Sequence, residues 1–541
     1  MKFNKLFLGA ALLSMGVFTS CSNDDEPANN GGQGDVKGDG YIAVKFQTAG
    51  LGGSRAAGEG FEEGSEAEGK VVAGTTRFYF FDIDGNPFRM ADAGNINGNV
   101  YDGDGEADNM VTPLEIKTGN TDGNVSVEGM LVLGKGTNGY EGLVPYQAVC
   151  VSNGDATFMN SLANKTLQKL AEEVAKGDGN LFMMSNSNYK GALKNGAVTI
   201  GDKIKSSPEL ANADPVDFYL ERLAVKVRIK NGQETEFIAQ DASASSDAEY
   251  SIYQADGSVK KVKLQVKLAD WLLVKTTDNA RTIKQLPTTD PWTNWSDAAY
   301  HRSYWAVSSA TSVNKPYFDI YNALTTDTEV NTSWTSLGST GLYTWEWTGA
   351  TNVDSENDRD HNANATSVVI RANVQENVAG AGEAEDWKNI DLVMWAGTYY
   401  TLAAFKQQVV NTYNPTATAE ATVADVELVY VGGNDAGKGK GGNDNYWKVQ
   451  VKGVDYTQYS QIKYWKDGVT SFYLNIKHAN DNEGNNIYGV VRNHIYEYSI
   501  DKIVGLGIPG NNPDQEEGET FVAASLNVLN WKVVSNNVTL Q

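Results

Sequence analysis

Cysteine is nearly absent, with only Cys21 and Cys150 in 541 residues. That excludes a disulfide scaffold and any metal site built from several cysteines. Histidine is almost as scarce. His301, His361, His478 and His494 are scattered, which disfavours a histidine-built metal centre. Proline numbers 12 against 55 glycines, which suits many turns between strands rather than a proline-rich stalk or a collagen repeat. Positive charge is in deficit: 44 basic against 68 acidic side chains leave a net −24. A surface of that sign repels phosphate, so nucleic acid is not an expected partner. The catalytic signatures G-x-S-x-G and H-E-x-x-H are missing, as is a Cys–His pairing, and the expectation is a protein that is not an enzyme and carries no cofactor. With 41% hydrophobic residues the chain still has enough apolar material for a sizeable core.

The N-terminus, MKFNKLFLGAALLSMGVFTSC, has a basic start (Lys2, Lys5) and a short apolar stretch from Leu6 to Phe18. That stretch is too short to span a bilayer and reads as a signal segment. Phe18-Thr19-Ser20 before Cys21 resembles a bacterial lipobox, which predicts residues 1–20 as a lipoprotein signal peptide and Cys21 as the lipidated (palmitoylated) residue. Residues 21–40 are polar, Gly-rich and acidic, as in a flexible tether. Asp24, Asp25 and Glu26 resemble the surface-export signal of Bacteroidetes lipoproteins, or are ordinary tether charge.

Residues 41–47 alternate. Ile42, Val44 and Phe46 share one face and Ala43, Lys45 and Gln47 the other, which predicts a half-buried strand. A loop over 48–70 follows, dominated by Gly, Ala, Ser and Glu, and between Lys45 and Lys70 its only basic residue is Arg55. It offers one site to an Arg-specific protease, between Arg55 and Ala56.

All 12 tryptophans lie at or after residue 271, which suggests two unlike domains. Strands are expected over 77–81, leading into a D-G-N turn, and over 146–151, where Cys150 serves as a small buried hydrophobe. The plainest alternations are Leu223, Val225, Val227, Ile229 and Val262, Leu264, Val266, Leu268. One helix is expected over 164–176, capped by Asn164, stopped by Gly177, with Leu167, Leu170 and Val174 on one face. The polar run 231–257 places a domain boundary, giving 41–232 and 233–541. The fold class is all-β: two tandem β-sandwiches with minor helix content.

Candidate chemistry is thin. Gly437, Gly439 and Gly442 match G-x-G-x-x-G, but strands are expected on both sides, so the segment reads as a hairpin loop. Asp354, Glu356, Asp358 and Asp360 alternate in a loop and are weak candidates for a cation, lacking the EF-hand glycine and distal glutamate. Trp292, Trp295, Trp305, Trp334, Trp345 and Trp347 are either sandwich core or a platform for sugars.

The C-terminal part is the most patterned. Tyr464-Trp465-Lys466-Asp467-Gly468 leads into Phe472–Ile476, then Tyr488-Gly489-Val490-Val491-Arg492-Asn493-His494-Ile495-Tyr496, then Ile500, Ile503, Gly505, Gly507, Ile508 and Pro509, and finally Leu526-Asn527-Val528-Leu529-Asn530-Trp531-Lys532-Val533. This resembles the fimbrillins of Bacteroidales type V pili, and among them is similar to the shaft subunits of Porphyromonas short (minor) fimbriae. Glu221-Arg222, Asp270-Trp271 and Ser54-Arg55-Ala56 correspond as well.

The resemblance implies transthyretin-like sandwiches and a subunit exported as an outer-membrane lipoprotein. A surface protease would cut after Arg55, releasing the strand carrying Ile42, Val44 and Phe46. The subunit would then polymerise head to tail by donor-strand exchange into fimbriae for adhesion. Anchor and tip pilins are implied partners, and host or bacterial surface ligands possible ones. The donor is expected within about 521–541. Leu529, Trp531 and Val533 alternate on one face; Val538 and Leu540 alternate with the opposite parity, so a bulge or turn near 535–537 must separate the sets. The alternative is a surface glycan-binding lipoprotein of a polysaccharide-uptake system. Cleavage would remove five basic residues (Lys2, Lys5, Lys37, Lys45, Arg55) and five acidic ones (Asp24, Asp25, Glu26, Asp35, Asp39), so the acidity belongs to the mature part.

Overall fold

The computed structural model describes residues 40–48, 71, 73–91, 107–113, 115–121, 124–176, 182–187, 196–241, 246–286, 306–309, 334–348, 365–380, 382–431, 446–459, 462–480, 486–507, 509, 521–530 and 534–535. The protein is mostly β, in sheets that pack as sandwiches, with few helices.

In the N-terminal part the strands run, across one nine-stranded sheet, in the order Met110–Val111, Thr76–Phe81, Gln147–Ser152, Met184–Asn186, Val216–Arg222, Gly40–Thr48, Asn124–Leu133 and Glu115–Thr121; Val198–Thr199 also pairs with Gln147–Ser152. Its core gathers Ile42, Val44, Phe78, Phe80, Leu131, Ala148, Cys150, Phe218 and Leu220. Cys150 is wholly buried there, and burial pushes its thiol pKa up, so it behaves as the small hydrophobe expected. The other face of the same strands, with Tyr79, Phe81, Val149 and Val151, packs on Met159, Leu162, Leu167 and Leu170.

The expected helix over 164–176 is shorter and starts later, at Leu167–Glu172. Thr166, not Asn164, is the N-cap, accepting from the Lys169 N–H. Asn164 is instead left-handed, with φ 56°, and its side chain is tied to Asp108. Val174 lies in a strand that pairs with Asn279–Arg281 and is exposed rather than packed. Tertiary pairing with a segment a hundred residues away outcompeted the local helical period. The one three-turn helix among the described residues, Leu402–Tyr413, has no counterpart in the sequence reading; Thr401 caps it and it buries Ala404, Phe405, Val409 and Val410.

The chain leaves the first sheet at Arg222 and enters the next at Ala224. That second sheet runs Leu342–Trp345, Ala224–Ile229, His494–Val504, Phe521–Asn530 and Val534–Ser535. Opposite it, Leu264–Val274 pairs with Ser367–Asn377, which pairs with Val469–Asn475. One core fills the space between them: Val225, Val227, Ile229, Tyr496 and Tyr498 from one side meet Val266, Leu268, Val368, Ile370 and Leu474 from the other. Val426–Val431 and Tyr446–Val451 form an antiparallel pair, so the glycine-rich stretch between them joins two strands, as its flanks imply.

Candidate functional site

Two structures stand out: a strand seated in a slot, and a buried ionic junction between the two halves. The strand is Gly40–Thr48. It is not an edge. One side pairs antiparallel with Asn124–Leu133, Ile42 facing Leu131 and Val44 facing Gly129. The other side pairs parallel with Val216–Arg222, Val44 facing Val216 and Phe46 facing Phe218. Near its start Tyr41 and Lys205 exchange both backbone hydrogen bonds at 2.9 Å. Ile42 and Val44 point into the core. The side chain of Phe46 lies outside the described set.

The expected half-burial of this strand needs correcting. Tyr41 and Ala43, on the face read as exposed, are buried in a second cluster with Val132 and Ala211. Ala211 belongs to a short helix, Pro208–Ala213, capped by Ser207 and laid over the strand. Only at Lys45 does that face open, beside Glu128 at 3.5 Å. A strand covered on both faces loses strict alternation, because each apolar or small residue can be buried either way.

The junction is made of the residues on which the C-terminal pattern rests. Arg492 is buried and forks onto Glu346, Nε to Oε2 and Nη2 to Oε1 both at 3.1 Å, while Nη2 also donates to the Arg281 carbonyl at 2.9 Å. Lys284 meets Glu221 at 2.9 Å, each side chain 1% exposed. Burial pulls the Lys284 pKa down, opposed by the Glu221 and Glu346 charges. Asn493 sits at φ 62°, donates its N–H to the Ala224 carbonyl at 2.9 Å, and its Oδ1 accepts from Arg222 Nη1 at 3.3 Å. The Arg–Asn pair therefore bridges the point where the chain passes from the first sheet to the second. Asparagine is suited to that left-handed position.

Tyr496 completes the cluster. Its hydroxyl accepts from the Val491 N–H at 3.0 Å and lies 2.7 Å from His478 Nδ1. His494 donates from Nδ1 to the Arg492 carbonyl at 2.8 Å. Burial holds the His494 pKa well below the usual histidine value, and His478 and Lys284 add to the effect, so its ring is neutral. The glycines of the pattern have steric reasons. At Gly468, with φ 71°, a Cβ would lie 2.3 Å from the Val374 oxygen, and at Gly507 one would lie 2.2 Å from Thr470 Oγ1. Trp465 Nε1 and the Thr470 hydroxyl both donate to the Leu506 carbonyl, at 3.1 and 2.8 Å.

Sequence reasoning singled out Glu221, Arg222, Arg492 and Asn493 but not their partners Lys284 and Glu346, which sit in segments without a period. Nor did it find the Pro208–Ala213 helix, although Ser207-Pro208 is a helix-start signal. Of the tryptophans weighed as a sugar platform, Trp345 and Trp347 are core and Trp334 is half-buried with the Arg371 guanidinium 4.7 Å from its ring, so these three form no open platform. Trp292, Trp295 and Trp305 lie outside the described residues, as do Cys21, Arg55, Ala56 and the acidic set Asp354, Glu356, Asp358 and Asp360. Among the described residues no cluster of acidic, histidine or cysteine side chains could hold a metal.

Phe521–Asn530 is paired antiparallel with His494–Val504 in the chain's own sheet, Leu529 facing Ile495. Val534–Ser535 then runs back along Val528 and Asn527. Residues 536–537, within the stretch where the change of parity predicts a bulge or turn, lie outside the described residues. Trp531, Val533, Val538 and Leu540 lie outside the described residues.

Residues 463–537 match the family model for the major fimbrial subunit protein type IV, fimbrillin, C-terminal. No curated protein matches the chain. Among solved structures, a candidate cell adhesion protein of Parabacteroides distasonis is 13% identical, covering 91% of this chain and 99% of its own, with a TM-score of 0.35. A tip fimbrial protein of Porphyromonas gingivalis, Mfa3 with a C-terminal truncation, is 11% identical, covering 91% and 99%, with a TM-score of 0.28. The match over 463–537 bears out the fimbrillin resemblance on the segment whose residues suggested it.

Proposed function

We propose that this chain, whose residues 463–537 carry the fimbrillin C-terminal pattern, is a structural subunit of a surface fimbria. It is made as a lipoprotein anchored through Cys21, cut between Arg55 and Ala56 by an Arg-specific protease, and polymerised by strand exchange. The observation that carries this reading is the placement of Gly40–Thr48. It is an interior strand, hydrogen-bonded along both edges, and it lies upstream of the only arginine between residues 45 and 70. Cleavage after Arg55 separates that strand covalently from everything it pairs with. Its departure leaves two unpaired edges, whose strands carry Leu131, Phe218 and Leu220 in the apolar core, and uncovers the part of that core on which Ile42 and Val44 lie. Buried backbone groups without partners are costly, so such a slot must be refilled, and a strand of a second copy refills it with the same backbone bonds.

Phe521–Asn530 and Val534–Ser535 are paired in the chain's own sheet, which favours a donor drawn from the last residues of the chain. The contact is head-to-tail and does not close on itself, so open filaments follow. The junction suits this role, since it fixes one half of the subunit on the other along the filament. The change of sheet between Arg222 and Ala224 lies a few residues ahead of the boundary proposed at 232 and 233. The test is deletion of residues 532–541 from the full-length chain. A folded, cleavable monomer that forms no fibre is expected; normal fibres from the deletion would sink the reading. Size on a gel separates it from a monomeric glycan binder.

A further inference from the structure

Resting on the strand-exchange reading, we infer that the Pro208–Ala213 helix acts as a cover that selects which strand fills the slot, and that the segment it admits from a second copy centres on Val538-Thr539-Leu540.

The slot has a floor, two edges and a roof. The floor and edges accept any strand with apolar residues two apart, because backbone bonds do not read side chains. The roof is more discriminating. Of the helix's residues only Ala211 is fully buried, while Leu210 and Glu209 face solvent. Ala211 shares its cluster with Ala43 and Tyr41 of the resident strand and Val132 of the neighbouring strand. Ala43 and Ala211 are both buried in this one small cluster, which leaves little room for a larger side chain at position 43. Tyr41 fits at one end of the roof and Lys45, beside Glu128, at the open side, so the small-residue requirement is local to position 43.

The roof is also held down. Asp214, at the helix C-cap, is paired with both Lys203 and Lys205, the latter at 3.0 Å. Lys205 is the residue whose backbone N–H and carbonyl bond Tyr41. One lysine therefore ties the helix end to the strand in the slot.

The resident pattern is apolar–small–apolar: Ile42-Ala43-Val44. Beyond residue 530 two frames offer apolar residues two apart. The first, Trp531 and Val533, would put Lys532 beneath Ala211, where a long cation would be desolvated among apolar side chains. The second, Val538 and Leu540, puts Thr539 there, with polar Asn537 and Gln541 at the flanking outward positions. Threonine is compact and favours the extended backbone. The triplet reads apolar–small–apolar in either chain direction, so the choice does not depend on the orientation of the incoming strand.

The test uses the full-length chain, digested with an Arg-specific protease, with the polymer ladder followed over time on a gel. Thr539→Trp and Thr539→Ala are compared with the unsubstituted chain. Residue 539 lies outside the described pairing of the subunit, so cleavage is expected at the same rate in all three. Thr539→Ala should polymerise like the parent. Thr539→Trp should slow ladder formation by about tenfold or more, since overfilling a packed site costs on that order. Lys532→Ala should leave the ladder unchanged. Equal ladders from Thr539→Trp and Thr539→Ala would overturn selection by the helix while leaving strand exchange standing, and so would loss of the ladder in Lys532→Ala with retention in Thr539→Trp. Cleavage of the parent without any ladder would overturn the polymerisation reading itself.

Discussion

The slot and the junction are both buried, yet they are built for opposite purposes. In the slot, Ile42 and Val44 meet apolar neighbours, Tyr41 and Ala43 pack with Val132 and Ala211, and backbone hydrogen bonds run along both edges. Shape and backbone pairing make up most of that contact and no buried charge is involved, so a strand of matching side-chain sizes can replace the resident one. In the junction, Arg492, Glu346, Lys284 and Glu221 are charges removed from water, and each is tolerated only because a specific partner is present. A contact of the first kind can be exchanged. One of the second kind can only be kept or broken. A subunit that must swap one strand while holding its two halves rigid has use for both.

The sharpest way to break the comparison is at the exchange step. Arg55→Ala is predicted to leave the uncut precursor on the cell and abolish fibre formation, read by immunoblot and electron microscopy. Mature-sized fibres from that variant would show that Arg55 is not the processing site. Next in size is the junction. Arg492→Leu strands the Glu346 carboxylate in a dry site and should cost about 3–5 kcal/mol in urea unfolding. A change under about 1 kcal/mol would mean that water reaches the pair.

A smaller effect separates the two regions directly. Ile42→Ala should destabilise the precursor by about 2–5 kcal/mol through the lost methyl groups and the cavity left behind. The polymer should be unchanged, because the strand is gone from it. If the fibre lost stability too, the resident strand would still be in place. The smallest prediction concerns acid. The His494 pKa is depressed in the fold by burial, so below the ordinary value near 6.5 the unfolded chain binds a proton that the folded chain refuses. Stability should therefore fall as pH drops through that value toward the folded pKa. His494→Gln should flatten the dependence measured by thermal melts between pH 7 and 5, and an unchanged slope would assign the effect elsewhere.

Much of this was legible before folding. The alternation of Leu223, Val225, Val227 and Ile229 predicts a strand, and the flanks of the 437–442 glycines predict a hairpin loop. The motif around Arg492 and Asn493 pointed to the family whose C-terminal model matches 463–537. What stayed hidden depended on partners distant in sequence. The 164–176 helix was overread because Val174 answers to Asn279–Arg281 and not to its own helical period. The alternation puts Ala43 on the outer face, and the short helix about 170 residues away that covers it leaves no local signal.

The sequence by itself determined the periodic features: which strictly alternating segments extend, as within 223–229 and 262–268, and where a glycine-rich stretch joins two strands. These are local, set by the backbone's steric limits and the alternation of a strand. Only the tertiary structure decided that the first strand is interior rather than an edge, that Glu346 answers Arg492, and that an alanine on a short helix is buried against that strand. Burial and charge pairing are properties of neighbours in space, and no spacing along the chain encodes them.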